Sequence, residues 1–162
     1  MNTREEILNI IEKNSRIDVH ELSVLLGAEE VLVANELKAL EDEGVICGYH
    51  SMIDWSKTSI EKVNALIEVK VTPTRGQGFD NIAERIYKYP EVTSVYLMSG
   101  GFDLMVIVEG KSLLEVAGFV NNKLATLDNV LSTATHFILK TYKANGIRFE
   151  QEQSDDRQAI VL

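Results

Sequence analysis

The chain has 162 residues, 45% of them hydrophobic and 25% charged, which is the composition of a folded protein with one medium or two small domains. Its single cysteine, Cys47, excludes an internal disulfide and a zinc site built from several cysteines. No apolar run approaches the length of a membrane span, and the charged N-terminus lacks the apolar segment of a signal peptide. We therefore expect a cytoplasmic protein with no membrane partner.

The net charge of −9 is concentrated at the start of the sequence. Residues 1–55 contain four basic and twelve acidic residues, a net charge of −8, whereas residues 56–162 contain twelve basic and thirteen acidic ones, a net charge of −1. DNA binding draws on cations that neutralise phosphates. The acidic N-terminal segment is thus a poor electrostatic match to nucleic acid.

Two short helices are predicted first. Thr3 and Glu6 have the spacing of a capping box ahead of an apolar stripe, and this helix is expected to end near residue 15. Asp18 is a candidate N-cap for a second helix that stops at Gly27. The second helix and the one after it, joined by the turn at Gly27, have the spacing of a helix-turn-helix.

A third helix and a hairpin are predicted next. The helix runs from Glu29 to Glu43, and Gly44 caps its end. Val45–Ile46 and Tyr49–Ile53 are expected to pair as two strands, which would form the wing of a winged helix-turn-helix. The alternative interpretation is a plain three-helix packing unit with no role in DNA binding.

The rest of the pattern predicts an α+β fold. The order is strand, helix, strand, strand, helix and strand, over Val63–Val71, Phe79–Tyr89, Val92–Met98, Leu104–Val108, Ser112–Leu124 and Leu131–Lys140. This order is that of a ferredoxin-like βαββαβ sandwich, an antiparallel sheet with two helices on one face. The buried side of its second helix is expected to contain Leu113, Val116, Ala117, Val120 and Leu124.

The second and third strands carry apolar residues on both faces, including Val95 and Leu97 against Tyr96 and Met98. Since the two helices cover only one face, we expect a second copy of the domain to cover the other. This predicts a homodimer through the sheet.

The predicted organisation has four parts. Residues 1–55 form a winged helix-turn-helix, 56–61 a linker, 62–145 the ferredoxin-like domain and 146–162 a C-terminal tail. The tail is acidic and polar over Glu150–Arg157, where we expect it to be mobile, and it ends on the apolar segment Ala159–Leu162.

Three segments carry a family resemblance: Leu37–Ile46, Ser99–Leu104 and Val130–Lys140. In this order, on these predicted elements, they resemble the leucine-responsive regulator/AsnC, or feast/famine, family of transcriptional regulators. The resemblance implies double-stranded DNA as a partner, a homodimer that assembles into tetramers or octamers, and an amino acid or related small molecule as effector in the αβ domain. It implies neither a cofactor nor an enzymatic activity.

The third helix is the candidate DNA-reading element. Asn35 is suited to an adenine edge, and Lys38 to a phosphate. The family often has arginine or lysine where this chain has Ala34, Glu36 and Ala39. The candidate DNA-binding residues are Glu29, Glu30, Leu32, Asn35, Glu36, Lys38 and Ala39.

The candidate effector site is the turn between the second and third strands. Two glycines allow a backbone to approach a ligand carboxylate, and Asp103 is suited to an ammonium group. The alternative is a plain glycine turn with Asp103 as a local cap. The candidate residues are Met98, Gly100, Gly101, Phe102, Asp103, Thr133 and Thr135.

No catalytic or metal site is predicted. His20, His50 and His136 are far apart in the sequence, and neither a P-loop nor a nucleophile motif occurs. Two alternatives to a DNA-binding regulator stay open. One is an oligomeric scaffold that does not bind DNA and regulates a paralogous regulator. The other is an enzyme of the same architecture, since some relatives decarboxylate a tetrapyrrole.

Overall fold

A computed structural model describes residues 2–73, 75–76 and 78–149 of the chain. The polypeptide divides into two compact units, Met1–Ile53 and Asp54–Leu162. The predicted features of residues 150–162, the polar segment and the apolar end, lie outside the described residues.

The N-terminal unit begins with the helices α1, Thr3–Ile11, and α2, Val19–Leu26. The predicted cap of α1 is wrong: Asn2 is the N-cap, because it is extended and its side chain accepts a hydrogen bond from the backbone of Arg4. The helix also ends four residues earlier than residue 15. Asp18 caps α2 as predicted, accepting from the Glu21 N–H at 2.7 Å.

Gly27 and helix α3, Glu30–Asp42, complete the helix-turn-helix. Gly27 ends α2 with a φ of +60°, a left-handed conformation that favours glycine. The core of the unit is formed by apolar side chains from all three helices, which turn one stripe each to the interior. Its buried members are Ile7, Ile11, Leu22, Val33 and Leu40.

The predicted wing hairpin is wrong: residues 45–54 contain no strand. The backbone N–H groups of Val45 and Ile46 both donate to the carbonyl oxygen of Leu40, at 2.9 and 3.0 Å. They close the C-terminal turn of α3 and are therefore not available to pair across a hairpin. The segment continues without regular structure to a single 3₁₀ turn at Trp55–Lys57.

The C-terminal unit contains a four-stranded antiparallel sheet. Its strands are β1, Val63–Val71; β2, Val92–Leu97; β3, Leu104–Gly110; and β4, Val130–Phe137. Their order in the sheet is β2-β3-β1-β4, which places the first strand at the centre beside the third. With the intervening helices, this is the ferredoxin-like arrangement expected from the sequence. The last strand ends at residue 137, three residues before its predicted end.

Both helices of this unit cover the same face of the sheet. Helix α4, Asp80–Tyr87, and helix α5, Leu113–Phe119, pack on apolar side chains of β1 and β3. A wider π-helical turn, Val120–Leu124, extends α5. The buried side of α5 differs from the prediction: Leu113 is 56% exposed in the first turn, and Phe119 is buried instead.

The other face of the sheet has no helix on it in the described chain. Side chains opposite one another in antiparallel strands share a face, so the register places Leu66, Met105, Ile107 and Tyr96 there together. All four are at least partly exposed, and Tyr96 is 51% exposed. We call this surface the open sheet face.

A small hairpin follows the sheet and spans the predicted boundary between the ferredoxin-like domain and the tail. The strands β5, Lys143–Ala144, and β6, Ile147–Arg148, pair across the turn at Asn145 and Gly146. Both turn residues have positive φ, +46° and +81°, as a two-residue type I′ turn requires. Residues 146–148, which the prediction placed in the C-terminal tail, therefore belong to a hairpin.

Candidate DNA-reading and effector sites

The predicted DNA-binding residues lie together on or beside α3. Glu29 directly precedes the helix, as its N-cap without a side-chain capping hydrogen bond, and the other six are within it. Glu29, Glu30, Leu32, Asn35 and Lys38 are exposed, whereas Glu36 and Ala39 are half-buried. By the helical period, Asn35 and Lys38 lie on the side of α3 opposite to the buried Val33 and Leu40.

Ion pairs engage several charges around α3. The Arg4 guanidinium of α1 donates to Glu43 at 2.6 Å, and its Nε lies 3.5 Å from a Glu36 carboxylate oxygen. Lys38 Nζ lies 3.0 Å from the Asp42 carboxylate one turn further along the helix. Two of the four cations of the N-terminal unit are thus bound to acidic side chains of the unit itself.

The two remaining cations lie outside α3. Lys13 and Arg16 are in the exposed turn between α1 and α2, and neither makes an ion pair with another described residue. At the start of α2, His20 Nδ1 lies 3.1 Å from the Glu30 carboxylate. This contact brings the N-terminal turns of α2 and α3 side by side.

The predicted effector turn is held by Asp103. Asp103 Oδ2 accepts a hydrogen bond from the Val71 N–H at 2.9 Å, and the Asp103 backbone N–H donates to the Val69 carbonyl at 3.1 Å. The Met98 N–H donates to the Asp103 carbonyl at 2.8 Å, which closes the turn. The carboxylate therefore ties the turn to the end of β1, as a local cap does.

One of the two glycines of this turn has a backbone conformation that favours glycine. Gly100 has a φ of +123°, a conformation that L side chains rarely adopt. A Cβ at either Gly100 or Gly101 would meet no atom within 4 Å, so both positions are open to an approaching ligand. Met98 and Phe102, on either side of the glycines, are half-buried.

The sheet register brings Thr133 to the same end of the sheet as the turn. Thr133 lies opposite Val69, and Thr135 lies opposite Ile67, so both threonines point to the helix-covered face. Both are half-buried. Thr133 and Asp103 thus flank the same residue of β1, while Thr135 lies further into the sheet.

A groove of about 620 Å³ lies in the N-terminal unit, where the sequence predicted no site. Helix α1 contributes Leu8 and Ile11, and the segment 45–50 contributes the other wall. Tyr49 in that segment donates its hydroxyl hydrogen bond to Glu41 at 2.8 Å, and this bond raises the pKa of Tyr49.

The described residues contain neither a candidate membrane-spanning helix nor a candidate metal site. None of the helices has the length and apolar character that crossing a bilayer would take. In the same part of the chain, no three His, Cys, Asp or Glu side chains gather where they could hold a metal ion.

Sequence reasoning missed the residues that surround α3. Arg4 is bound to Glu43, which is 39 positions away in the sequence, and no local sequence pattern predicts such a contact. Val31 was also missed, although it is 69% exposed on α3, because an apolar residue in a helix is ordinarily assigned to the core. Its signal was helical phase: Val31 is one turn before Asn35, on the exposed side.

Comparison with known proteins places these features in a family. The model of the Lrp/AsnC ligand binding domain matches residues 64–147. Over 158 residues, 97% of this chain and 94% of the relative, the sequence is 52% identical to the uncharacterized HTH-type transcriptional regulator YugG of Bacillus subtilis.

Two solved structures share the fold. A transcriptional regulator of Neisseria meningitidis, solved in complex with L-Met, superposes with a TM-score of 0.71 at 24% identity, covering 89% of this chain and 92% of that one. AsnC of E. coli superposes with a TM-score of 0.68 at 19% identity, covering 89% and 95%.

Proposed function

This chain belongs to the Lrp/AsnC family of transcriptional regulators, and we propose on that premise that it binds specific DNA sequences and responds to an amino acid or a related small molecule. The relatives that match this chain are HTH-type transcriptional regulators and not enzymes of the same architecture. The effector would change either the assembly of the protein or its affinity for DNA. Its compartment would be the cytoplasm.

The observation that carries the DNA-binding proposal is the exposed face of α3. In a helix-turn-helix, the second helix inserts its N-terminal half into the major groove. Here that helix follows the Gly27 turn and exposes Leu32, Asn35 and Lys38. Lys13 and Arg16, which have no ion pair with described residues, supply the phosphate contacts in this proposal.

The observation behind the effector proposal is the turn at residues 98–103. The turn contains two open glycines, the half-buried Met98 and Phe102, and the Asp103 carboxylate, and it lies at the end of the sheet where Thr133 pairs with Val69. Backbone N–H groups would bind the effector carboxylate, and Asp103 would bind its ammonium group through Oδ1. The L-Met complex of the Neisseria regulator supports an amino acid as the class of effector.

The homodimer is proposed through the open sheet face. Leu66, Met105, Ile107 and Tyr96 form an apolar surface there, and a second copy would remove it from water. Glu68 Oε1 and His136 Nε2, 3.3 Å apart on the same face, would give the interface a polar contact. Dimers would then assemble into tetramers or octamers, which multiplies weak contacts with DNA.

The first test is fluorescence anisotropy with the DNA upstream of the protein's own gene. We expect submicromolar, sequence-preferring binding that weakens with salt, because phosphate contacts release counterions. One member of a panel of amino acids is expected to shift the affinity. Equal binding to unrelated duplexes would contradict sequence-specific regulation by this chain.

The effector site is tested by Asp103→Asn and Asp103→Ala. The asparagine keeps an oxygen acceptor for the Val71 N–H but removes the charge, whereas the alanine removes both. We expect Asp103→Asn to lose the amino-acid response while thermal stability is nearly retained. An unchanged response in Asp103→Asn would show that the carboxylate only caps the turn.

The scaffold hypothesis is the second candidate, and the acidic N-terminal unit favours it. Residues 1–55 have a net charge of −8, and the ion pairs of Arg4 and Lys38 reduce the cations available to DNA. If the protein is folded and oligomeric but binds no duplex even at low salt, this hypothesis takes first place. It predicts co-purification of a second, more basic member of the family.

A further inference from the structure

The exposed charges along α3 are largely engaged within the protein. Glu36 is bound by Arg4 and Lys38 by Asp42, and Glu30 lies against His20. An ion-paired side chain has to give up its partner before it can bind a base, which weakens its contribution to readout. Helix α3, which the structure describes throughout, contains no arginine.

Three exposed side chains of α3 have no such engagement. Val31 is 69% exposed, Leu32 is 58% exposed, and Asn35 is exposed. Val31 and Asn35 are four residues apart and Leu32 and Asn35 three apart, so all three share one side of the helix. They lie in its N-terminal half, the part that meets base edges in a helix-turn-helix.

These side chains match the chemistry of one base pair type. In the major groove, thymine presents a C5 methyl group that alkyl side chains contact, and adenine presents an N7 acceptor and an N6 donor that a carboxamide binds in pairs. Guanine readout mostly uses arginine or lysine, and the one lysine of α3 is held by Asp42. The helix is therefore equipped for A·T pairs and poorly equipped for G·C pairs.

We propose that α3 reads A·T pairs, with Val31 and Leu32 contacting thymine methyl groups and Asn35 binding adenine in the same half-site. This inference rests on the proposed function, in which α3 enters the major groove. Val31 becomes a specificity-determining residue in addition to the candidates on α3. Recognition of thymine by alkyl contact also requires no side-chain cation on this acidic helix.

The experiment removes one chemical group of the DNA at a time. In the preferred duplex, each thymine is replaced in turn by deoxyuridine, which lacks only the methyl group, and each adenine by 7-deazaadenine, which lacks the N7 acceptor. At contacted positions we expect anisotropy to show roughly fourfold weaker binding for deoxyuridine, the value of one buried methyl group, and roughly tenfold weaker binding for 7-deazaadenine.

Three variants assign the contacts. Val31→Ala and Leu32→Ala should each bind thymine and deoxyuridine duplexes almost equally at their own position, and Asn35→Ala should lose the penalty for 7-deazaadenine. The matched control is Val24→Ala, which removes an equally exposed valine from α2 and should retain both penalties. Because all four side chains are exposed, circular dichroism should show folded variants.

The outcomes separate the inference from its premise. Sequence-specific binding with no penalty for either analogue would overturn the A·T readout alone and leave the regulator intact. Absence of binding to every duplex would overturn the proposed function, and the readout with it.

Discussion

The two units leave different kinds of surface exposed. The N-terminal unit closes on a core of five buried side chains and exposes an acidic surface whose cations are partly ion-paired. The C-terminal unit buries one face of a four-stranded sheet and leaves the other face apolar and open. In the proposed function, the first unit acts through individual surface side chains. The second unit acts through a whole surface that the described fold leaves uncovered.

The largest expected effect on stability comes from substitutions in the core of one unit at a time. Leu40→Ala should destabilise the N-terminal unit, and Leu104→Ala the C-terminal unit, each by roughly 2–5 kcal/mol, because both leucines are almost completely buried. The only tryptophan, Trp55, belongs to the C-terminal unit and reports its unfolding by fluorescence.

Denaturant titrations followed by circular dichroism and by fluorescence check this pair. Leu40→Ala should lower the midpoint of helix loss and leave the fluorescence midpoint in place, whereas Leu104→Ala should move the fluorescence midpoint. If both variants shift both probes equally, the two units unfold as one.

The next effect concerns the open sheet face. Ile107→Glu places a carboxylate where a second copy is proposed to pack, and it should weaken the dimer on the order of a hundredfold. Sedimentation velocity at micromolar concentration measures this as a shift to monomer. The control, Leu114→Glu, makes the same change on α5 at a site that is 81% exposed. A dimer that survives Ile107→Glu unchanged contradicts an interface on this face.

A smaller effect on stability is expected from breaking an ion pair, and two pairs of different exposure can be compared. Lys123 Nζ lies 2.5 Å from a Glu91 carboxylate oxygen, and the other oxygen of Glu91 is buried without a hydrogen-bond partner among described residues. Lys123→Met should therefore lower the free energy of unfolding at pH 7 by about 1 kcal/mol. Lys88→Met breaks the more exposed pair with Glu84 and should cost less.

The Lys123 effect also depends on pH. The hydrogen bond from Lys123 lowers the pKa of Glu91 below its ordinary value of 4.5. The pair therefore contributes its full stability above pH 4.5 and loses it as the pH falls through the lowered value. Denaturant titrations should show the difference between wild type and Lys123→Met at pH 7 and its progressive loss as the pH falls below 4.5 through the lowered pKa of Glu91. A constant difference would mean that lost packing, not charge, is the cause.

The smallest expected effect concerns the negative charge at the start of α3. Glu29→Gln removes an exposed negative charge at the N-terminus of α3, and it should raise DNA affinity roughly two- to threefold at low salt and less at high salt. Anisotropy across a salt series measures it. Glu61→Gln makes the same change in the C-terminal unit and should have no effect. Equal gains from both would point to net charge rather than position.

The sequence predicted the order of the helices and strands well, because their signals are local. Gly27 ends α2 with positive φ, and the alternation through β1 places Ala65, Ile67 and Val69 in the core. The wing was wrong because the strand propensity of Val45 and Ile46 was outweighed by their hydrogen bonds to Leu40.

The terminal hairpin was predictable but missed. Asn145–Gly146 is a strong short-range hairpin signal, and it lies at the predicted boundary between the ferredoxin-like domain and the tail. The flanking strands have only two residues each and therefore give little signal of their own. In the candidate sites, residue types and helical phase were accessible from the sequence. The pairing of Arg4 with Glu43 and of Asp103 with Val71 was not, since each joins segments more than 30 positions apart.

The Asp103 cap has a consequence for observing the effector. The β1–β4 register shifts between Lys70 and Val71, and the Val71 N–H donates instead to the Asp103 carboxylate. The Val71 amide proton is therefore a spectroscopic reporter. Its chemical shift and hydrogen-exchange rate depend on its hydrogen bond to the Asp103 carboxylate, 32 positions away in the sequence. A molecule that binds the Asp103 carboxylate should therefore change the resonance of the Val71 amide, which thus reports on the turn.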